Sequence, residues 1–248
     1  MNLEDILDEL RLLRYKYPLL KKVTQPFVGG LGSSKHNNII KDLRSGFAEN
    51  GLKTLEHFDK VLVKYGYTYS LAFGTMLGAV REHGFIKHDA DIDVFMWIED
   101  RDDRFLDILK KEGFKLTHTY SVENGKFGQE DTIEYNEVQI DIFYIYPAVE
   151  GQEYSYCCDF VVFEDCLTRK QSIKKHGGLL PRRIEIPIVK EFVKIQFETL
   201  TLPVIKNAHE FLSFRYGKDY MTPNPNWVNG QNPYFIPWHE KVALYEEF

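Results

Sequence analysis

A strand-like run near the middle of the chain carries three aspartates at alternate positions: Asp89, Asp91 and Asp93. If residues 91–94 are extended, Asp91 and Asp93 project from one face of the strand, while the isoleucine and valine between them project into a core. Neighbouring carboxylates repel each other, and a hard divalent cation that binds their oxygens relieves the repulsion. The alternation therefore predicts a strand with a metal site on one face.

A second strand-like run, residues 138–146 (VQIDIFYIY), contains a single acid, Asp141. An isolated acid in a buried strand is costly unless it is paired, protonated or bound to a cation. If the two runs are neighbours in one sheet, Asp141 joins Asp91 and Asp93, and the three carboxylates can hold one or two Mg²⁺ or Mn²⁺ ions about 3.5–4 Å apart. These three are the predicted metal ligands and catalytic acids, and Asp89 is a further oxygen donor or a supporting group.

A small-residue turn precedes the acidic run. Gly74 and Thr75 follow an apolar strand-like stretch and precede an apolar helical stretch. A glycine at a strand-to-helix turn lets backbone N–H groups approach a phosphate, and the helix N-terminus favours its negative charge. Arg81, at the far end of the helical stretch, can add a bidentate phosphate contact. Together with the acids, this order of motifs predicts metal-assisted phosphoryl or nucleotidyl transfer.

Composition narrows the class of protein. The 248 residues are enough for one large domain, or one domain with an appended lobe, and the 15% aromatic content argues against disorder. The net charge of −6 does not favour binding to nucleic acid. The N-terminus is acidic and amphipathic, unlike a secretory signal, and no uncharged apolar run approaches the roughly 18 residues of a membrane span. Three cysteines without metal-binding spacing fit free thiols, and we expect a cytoplasmic protein.

These motifs resemble those of the LicD and fukutin-type phosphotransferases. The family signature is Gly-Thr-x-Leu-Gly-Ala-x-Arg, then Gly-Phe-Ile, then an Asp-x-Asp strand. The matching residues here are Gly74, Thr75, Leu77, Gly78, Ala79, Arg81, Gly84, Phe85, Ile86, Asp89, Asp91, Ile92 and Asp93. Residues 207–223 (NAHEFLSFRYGKDYMTP) are similar to the family's closing helix and the turn that follows it. The chain departs from the family at Lys87 and His88, where Pro-Trp is usual.

The resemblance implies an α+β fold with a nucleotidyltransferase-like mixed sheet flanked by helices. Around that catalytic core, at residues 67–221, we expect a helical N-terminal segment with a Gly-rich loop, at 1–66, and an irregular aromatic and Pro-rich tail, at 222–248.

The resemblance also implies a reaction. Family members are understood to move a phosphorylated alcohol, such as phosphocholine, ribitol phosphate or glycerol phosphate, from a CDP-linked donor to a sugar hydroxyl of a surface glycan, releasing CMP. The expected partners are therefore a CDP-alcohol donor and a glycan or lipid-linked glycan acceptor, with Mg²⁺ or Mn²⁺ as cofactor, no nucleic acid, and a protein that works either alone or docked peripherally at a membrane. The residues expected to bind the donor are Gly74, Thr75, Arg81, Lys87 and Asp89. Two alternatives stay open: a nucleotidyltransferase that uses an NTP and releases pyrophosphate, and a non-catalytic nucleotide-binding module.

Local patterns give further structural predictions. They are a first helix capped by Asn2, a loop over residues 24–38, a helix break near Asn50-Gly51, a hairpin formed by residues 138–146 and 154–163, and a tail over residues 222–239 without regular structure. Arg182 and Arg183 belong either to a solvated edge or to a contact with an anionic substrate.

Overall fold

The computed structural model describes residues 33–87, 89–148, 154–187, 191–224 and 235–248. Its strands are β1 (Ser70–Leu71), β2 (Asp91–Trp97), β3 (Lys115–Val122), β4 (Gly128–Tyr135), β5 (Val138–Ile145), β6 (Tyr154–Val161), β7 (Leu180–Pro187), β8 (Phe192–Phe197), β9 (Leu200–Ile205), β10 (Phe235–Pro237) and β11 (Ala243–Glu247). Its α-helices are α1 (Ser33–Tyr65), α2 (Phe73–Arg81), α3 (Phe105–Lys111), α4 (Arg169–His176) and α5 (Ala208–Tyr216).

A six-stranded mixed sheet forms the centre of the fold. Its strand order is β1-β2-β5-β4-β3-β11; β2 and β5 run parallel, and the other neighbours run antiparallel. A smaller sheet has the order β10-β7-β6, and β8 pairs with β9. The predicted α+β class, with a mixed sheet flanked by helices, is confirmed.

The long helix α1 covers one face of the main sheet, where it packs against β2 and β5. Its side chains Leu55, Phe58 and Leu62 are fully buried, as are Ile92 and Val94 of β2. These β2 residues alternate with the aspartates, so burial of the apolar face against α1 fixes which face carries the acids.

The opposite face of the sheet is covered in part by α2 and α5. The ring of Phe95 in β2 contacts Phe73 of α2 and Phe211 of α5, with centroid distances of 5.0 and 5.6 Å. Because Phe95 shares a face with Asp91 and Asp93, this aromatic cluster forms the apolar floor next to the acidic residues.

Helix α1 is continuous where the sequence predicts a break. Asn50 and Gly51 lie inside it, and the predicted loop over residues 24–38 overlaps its first residues from Ser33 onward. A Cβ on Gly51 would lie 3.4 Å from atoms of the Phe47 and Phe85 rings. The packing of those aromatic rings against the helix at this position overrides the low helix propensity of glycine.

Two other local predictions are wrong. Strands β5 and β6 do not form the ladder of a hairpin: β6 pairs with β7 in the smaller sheet, and the two predicted segments meet at one antiparallel bridge, Tyr146 to Tyr156. A second bridge, Leu179 to Ala243, also links the start of β7 to β11. The tail is not irregular throughout, because residues 235–237 form β10 and residues 243–247 form β11 at the edge of the main sheet.

Several predictions fall outside the described residues. They concern the helix beginning at Asn2, the Gly-rich loop before Ser33, His88, the connection at 149–153 between the two predicted hairpin segments, and residues 225–234 of the predicted tail. None of the described helices combines the length and apolar character needed to cross a bilayer.

The turn after α2 is held close to the helix by two glycines. A Cβ on Gly78 would lie 2.4 Å from the carbonyl oxygen of Gly84, and a Cβ on Gly84 would lie 2.9 Å from Cγ of Glu198. The backbone N–H of Glu82 donates to the Gly78 carbonyl at 2.8 Å. This close approach sets the path of the chain from α2 to Asp89.

Replacing Gly78 with alanine should lower the free energy of unfolding by about 1–3 kcal/mol, because the added methyl group overlaps backbone that cannot move without displacing the turn. Gly51→Ala is the matched control, since it lies inside a helix and meets only ordinary contacts. It should leave stability unchanged or raise it by about 0.5–1 kcal/mol. Urea unfolding of the two variants measures both effects, and equal stabilities would contradict the proposed close approach.

Candidate active site

The two acidic strands are neighbours in the sheet. Asp93 of β2 and Asp141 of β5 are directly paired positions in the parallel ladder. Strands in a sheet lie about 4.8 Å apart, so these side chains project side by side from the same face. Asp91 is exposed and Asp93 is half-buried, while Ile92 between them is fully buried. The alternation and the predicted adjacency of the three acids are thus confirmed.

The N-terminal turn of α2 holds the backbone of Asp93. The Ala72 N–H donates to the Asp93 carbonyl, and the Asp93 N–H donates to the Thr75 hydroxyl, both at 2.9 Å. The Gly74 N–H donates to Oδ2 of Asp93 at 3.3 Å. Thr75 is 1% exposed, so its side chain positions Asp93 and is not open to a ligand.

Gly74 leaves space between two carboxylates. A Cβ at this position would lie 3.6 Å from Oδ2 of Asp93 and 3.7 Å from Oδ1 of Asp89. Any larger side chain would extend into the gap between them. The glycine therefore keeps this gap open at the start of the helix.

The residue before this glycine has an unusual backbone conformation. Phe73 has a φ of 36°, which is unfavourable for a residue with a side chain. Its ring contacts the rings of Phe95, Phe143 and Phe211 at 5.0, 4.8 and 5.9 Å. Burial of the ring among these neighbours stabilises a turn that the local sequence alone would not adopt.

The surroundings of the four aspartates disfavour the ionised forms of their side chains. Burial, followed by the charges of Asp91, Asp141 and Asp89, raises the pKa of Asp93 well above its ordinary value. Burial raises the pKa of Asp89 to about 6 and that of Asp141 to about 6, and the charge of Asp91 adds to both shifts. Desolvation by the surrounding protein also raises the pKa of Asp91, although this residue keeps an exposed surface. A concentration of negative charge in a partly desolvated site is electrostatically suited to a cation.

The donor chemistry fits Mg²⁺ or Mn²⁺, which prefer carboxylate oxygens. Among the described residues, the carboxylate of Asp93 accepts only the long hydrogen bond from Gly74, so it has oxygen lone pairs available for a cation. The aspartates are adjacent but not closed around a common point. In the described ranges, ligand atoms of three potential metal-binding residues come within 4.8 Å of one another at a different place, formed by Asp165, Cys166 and His176. Asp165 in that group already pairs with Lys175 at 2.5 Å.

Asp141 has a partner that the sequence analysis did not identify. The hydroxyl of Thr132, in β4, donates to Oδ1 of Asp141 at 2.6 Å. Thr132 is 1% exposed and is directly paired with Asp141 in the antiparallel ladder. The bond fixes the orientation of the carboxylate and leaves its second oxygen for other contacts. No local motif marks this threonine, because its position depends on the strand register.

A cavity of about 530 Å³ opens beside the acids. It is lined by Gly74, Leu77, Arg81, Ile86, Asp89, Tyr216, Asp219, Tyr220, Thr222, Pro223 and Asn224. The walls come from α2, the turn after it, and the end of α5 with the residues that follow. Its size and its mixture of apolar, aromatic and charged groups are typical of a site for a small molecule.

Arg81 is at one wall of this cavity, as its predicted phosphate contact requires. Its Nη1 donates to the Tyr220 carbonyl at 3.2 Å, and its Nε pairs with Glu82 at 2.8 Å. Asp89 is held by the Ile86 N–H, which donates to its Oδ2 at 3.0 Å. Lys87 is exposed on the turn and does not line the cavity.

The two arginines considered as possible contacts to an anionic substrate, Arg182 and Arg183, lie in the smaller sheet. Arg182 pairs with Asp159, with Nε to Oδ1 at 2.9 Å, and its guanidinium lies 4.5 Å from the centre of the Phe235 ring. Arg183 lies 4.9 Å from the Trp238 ring. Neither arginine lines the cavity. Six residues of the segment 216–224 line it instead, and the Tyr-Gly motif of this segment is the signal that could have identified them.

Asp93→Asn should raise the melting temperature of the metal-free protein at pH 7, because the neutral amide removes repulsion among the acids. The expected gain is about 2–4 °C for each kcal/mol of repulsion relieved. The same change should abolish stabilisation by Mg²⁺ or Mn²⁺, since a ligand is lost. Differential scanning calorimetry with and without metal measures both effects.

Asp103→Asn serves as the control because Asp103 is exposed and lies outside the acidic group. It should change neither the metal-free melting temperature nor the response to metal. A response to metal that survives in Asp93→Asn would show that Asp93 is not a ligand.

Comparison with known proteins identifies the family. Residues 66–207, more than half of the chain, match the family model for the LicD/FKTN/FKRP nucleotidyltransferase domain. The matched range includes β1, α2, β2 and β5, and with them Asp89, Asp91, Asp93 and Asp141.

Several individual relatives are named as transferases. The chain is 40% identical over 76 residues to the lipopolysaccharide cholinephosphotransferase LicD of Haemophilus influenzae. The matched segment covers 30% of this chain and 27% of that protein. It is 28% identical over 225 residues to the mouse (Mus musculus) ribitol-5-phosphate transferase FKTN, covering 80% of this chain and 41% of that protein. The human (Homo sapiens) FKTN is 23% identical over 225 residues, with the same coverage of both chains. The chain thus spans less than half the length of these relatives, and it belongs to the LicD/FKTN/FKRP family of nucleotidyltransferase domains.

Proposed function

We propose that this chain is a metal-dependent phosphotransferase that moves a phospho-alcohol from a CDP-linked donor to a sugar hydroxyl of a glycan and releases CMP. The phospho-alcohol is of the phosphocholine, ribitol phosphate or glycerol phosphate type. Membership of the family supports this reaction class, and two relatives are named for the transfer of phosphocholine and ribitol phosphate.

The observation that carries the proposal is the pairing of Asp93 with Asp141 in neighbouring strands beside the cavity wall. The paired carboxylates lie next to Gly74, which also lines the cavity. A nucleotide diphosphate donor in the cavity would thus bring its pyrophosphate to the acids. Arg81, at the same cavity, is suited to a bidentate contact with a phosphate.

Asp91, Asp93 and Asp141 would hold Mg²⁺ or Mn²⁺ in this site. The bound ion would supply charge neutralisation for the pyrophosphate oxygens. Asp141 has a second candidate role, which is to accept the proton of the attacking sugar hydroxyl. Thr132 orients it for either role through the hydrogen bond to Oδ1. Phosphoryl transfer depends mainly on positioning and charge stabilisation, and the protein groups proposed here would supply both.

A nucleotidyltransferase is the second candidate, because the matched family model describes a nucleotidyltransferase domain. Such an enzyme would transfer NMP from an NTP and release pyrophosphate. The two reactions share the same carboxylates and differ in the bond that is broken. The identity of the released product therefore separates them.

With Mg²⁺ and a glycan acceptor, the protein should release CMP from one of CDP-choline, CDP-ribitol and CDP-glycerol, as detected by chromatography of the nucleotides. Asp93→Asn should lower the rate by at least about a hundredfold, because it removes a proposed metal ligand. Asp103→Asn should retain the wild-type rate. Release of pyrophosphate from CTP or ATP, without CMP release from any CDP-alcohol, would favour the nucleotidyltransferase.

Thr132→Val should lower kcat by about tenfold or more, because the isosteric side chain cannot donate to Asp141. Thr132→Ser keeps the hydroxyl and should retain most of the activity. Mn²⁺ affinity, measured by electron paramagnetic resonance, provides a second readout that does not depend on turnover. Equal kinetics and equal Mn²⁺ affinity in the valine and serine variants would contradict a positioning role for the hydroxyl.

A further inference from the structure

A row of polar side chains crosses the main sheet from the acidic site to its far edge. The directly paired positions along this row are Asp93, Asp141, Thr132, His118 and Glu247, contributed by β2, β5, β4, β3 and β11. Directly paired residues project from the same face of a sheet. The face that carries the acids therefore continues, two strands beyond Asp141, to His118.

A cation and aromatic rings lie at the far end of this row. The guanidinium of Arg169 lies 4.4 Å from the centre of the Tyr245 ring and 5.9 Å from that of Tyr120. The His118 ring lies 5.6 Å from the Tyr245 ring and 5.2 Å from the Tyr120 ring. Arg169 is exposed, whereas His118 and Tyr245 are half-buried. We call His118, Arg169 and Tyr245 the edge patch.

The guanidinium of Arg169 is available for a ligand. Within the described ranges it forms no ion pair with a carboxylate, in contrast to Arg101 and Arg182, which pair with Asp131 and Asp159. Its stacking on Tyr245 restrains the side chain and leaves the N–H donors at its rim open. A restrained guanidinium of this kind is suited to a phosphate or carboxylate.

The direction of the reaction connects this patch to the acceptor. In phosphoryl transfer the attacking and leaving oxygens lie roughly in line on opposite sides of the phosphorus. The walls of the donor cavity come from α2, its following turn and residues 216–224, on the β2 side of the acids. An acceptor hydroxyl that attacks from the other side would then approach from the side of β5 and β4, which is the direction of the edge patch. Thr132 of β4 is 1% exposed, so the acceptor would pass over the side chains that cover it without contacting it.

We propose that the edge patch binds an anionic group, a phosphate or a carboxylate, on the glycan acceptor, and that Arg169 determines this specificity. This inference rests on the proposed phosphotransferase function. His118 lies two strand spacings, or about 10 Å, from Asp141 along the sheet. The patch thus holds the negative group of an acceptor whose hydroxyl lies at Asp141, with the body of the glycan spanning the distance between them.

The separation also resolves an electrostatic conflict. An anionic acceptor would be repelled by Asp91, Asp93 and Asp141 if its charge lay next to them. At the edge patch it would meet one carboxylate, that of Glu247, which is exposed to solvent and directly paired with His118. At about 10 Å the separation is close to the Debye length at 0.1 M salt, so much of this repulsion is screened. The favourable contact with Arg169 is made locally and is screened less.

Binding of simple probes tests the proposal directly. Isothermal titration with glucose 6-phosphate, glucuronic acid and glucose, in the presence of saturating CMP and Mg²⁺ to fill the donor site, should give at least one anionic sugar a preference of about tenfold over glucose. Glucose 6-phosphate and glucuronic acid distinguish a phosphate from a carboxylate. Arg169→Ala should abolish the preference and Arg169→Lys should retain part of it. Lys170→Ala, which removes the adjacent exposed cation, should leave it intact.

The proposal is overturned if Arg169→Ala keeps the preference, if glucose binds as well as both anionic sugars, or if Lys170→Ala abolishes it equally. It is also overturned if none of the three sugars binds to the wild type. Circular dichroism of each variant establishes that it is folded.

Turnover separates this proposal from the proposed function. If the wild type releases CMP from a CDP-alcohol, Arg169→Ala should retain the slow hydrolysis of the donor by water while losing stimulation by an anionic acceptor. If the anionic acceptor still stimulates CMP release in Arg169→Ala, the proposed acceptor site is overturned and the phosphotransferase function is not. Absence of CMP release from every donor in the wild type overturns the phosphotransferase instead.

Discussion

The site depends on the parallel pairing of β2 with β5, which brings Asp93 and Asp141 side by side. This pairing is unfavourable for the acids themselves, since burial raises the pKa of both carboxyls and the charge of Asp141 raises that of Asp93 further. The apolar face of the same strands provides the compensation: Ile92, Val94 and Ile140 are fully buried. A one-residue shift in register would expose these side chains, so the core enforces the closeness of the charges.

The elements around this pair restrict the site further. The turn into α2 places Phe73 at a positive φ and directs the Gly74 N–H toward Asp93. The close approach of Gly78 to Gly84 then returns the chain so that Asp89 lies opposite Gly74. These two turns explain the small residues of the family signature, because each glycine occupies a place where a side chain would collide or fill the gap between carboxylates.

Periodicity was sufficient to predict the alternating acids and their buried partners, since strand geometry alone fixes which side chains share a face. It was also sufficient to suggest that Asp141 lies beside them. The break at Gly51 was predicted wrongly because the contact of that glycine with Phe85 is tertiary and leaves no local signal. The hairpin between β5 and β6 failed for a related reason: a turn signal does not reveal that the next strand belongs to another sheet.

The remaining parts of the site are set by long-range geometry. Thr132 reaches Asp141 through strand register, and residues 216–224 reach the cavity through the packing of α5 against α2. Residue patterns could mark these segments as structured but could not identify their neighbours. The edge patch likewise combines residues from β3, β11 and α4 that are distant in sequence.

The most direct test of the central claim is the melting temperature of the protein with Mg²⁺ and a CDP-alcohol, each alone and then together. If the paired aspartates hold a metal that binds the donor's pyrophosphate, the two ligands together should raise the melting temperature by more than the sum of their separate effects. Two results would contradict the account. Either no CDP-alcohol stabilises the protein, or the stabilisation by each CDP-alcohol is unchanged when the metal is removed by chelation.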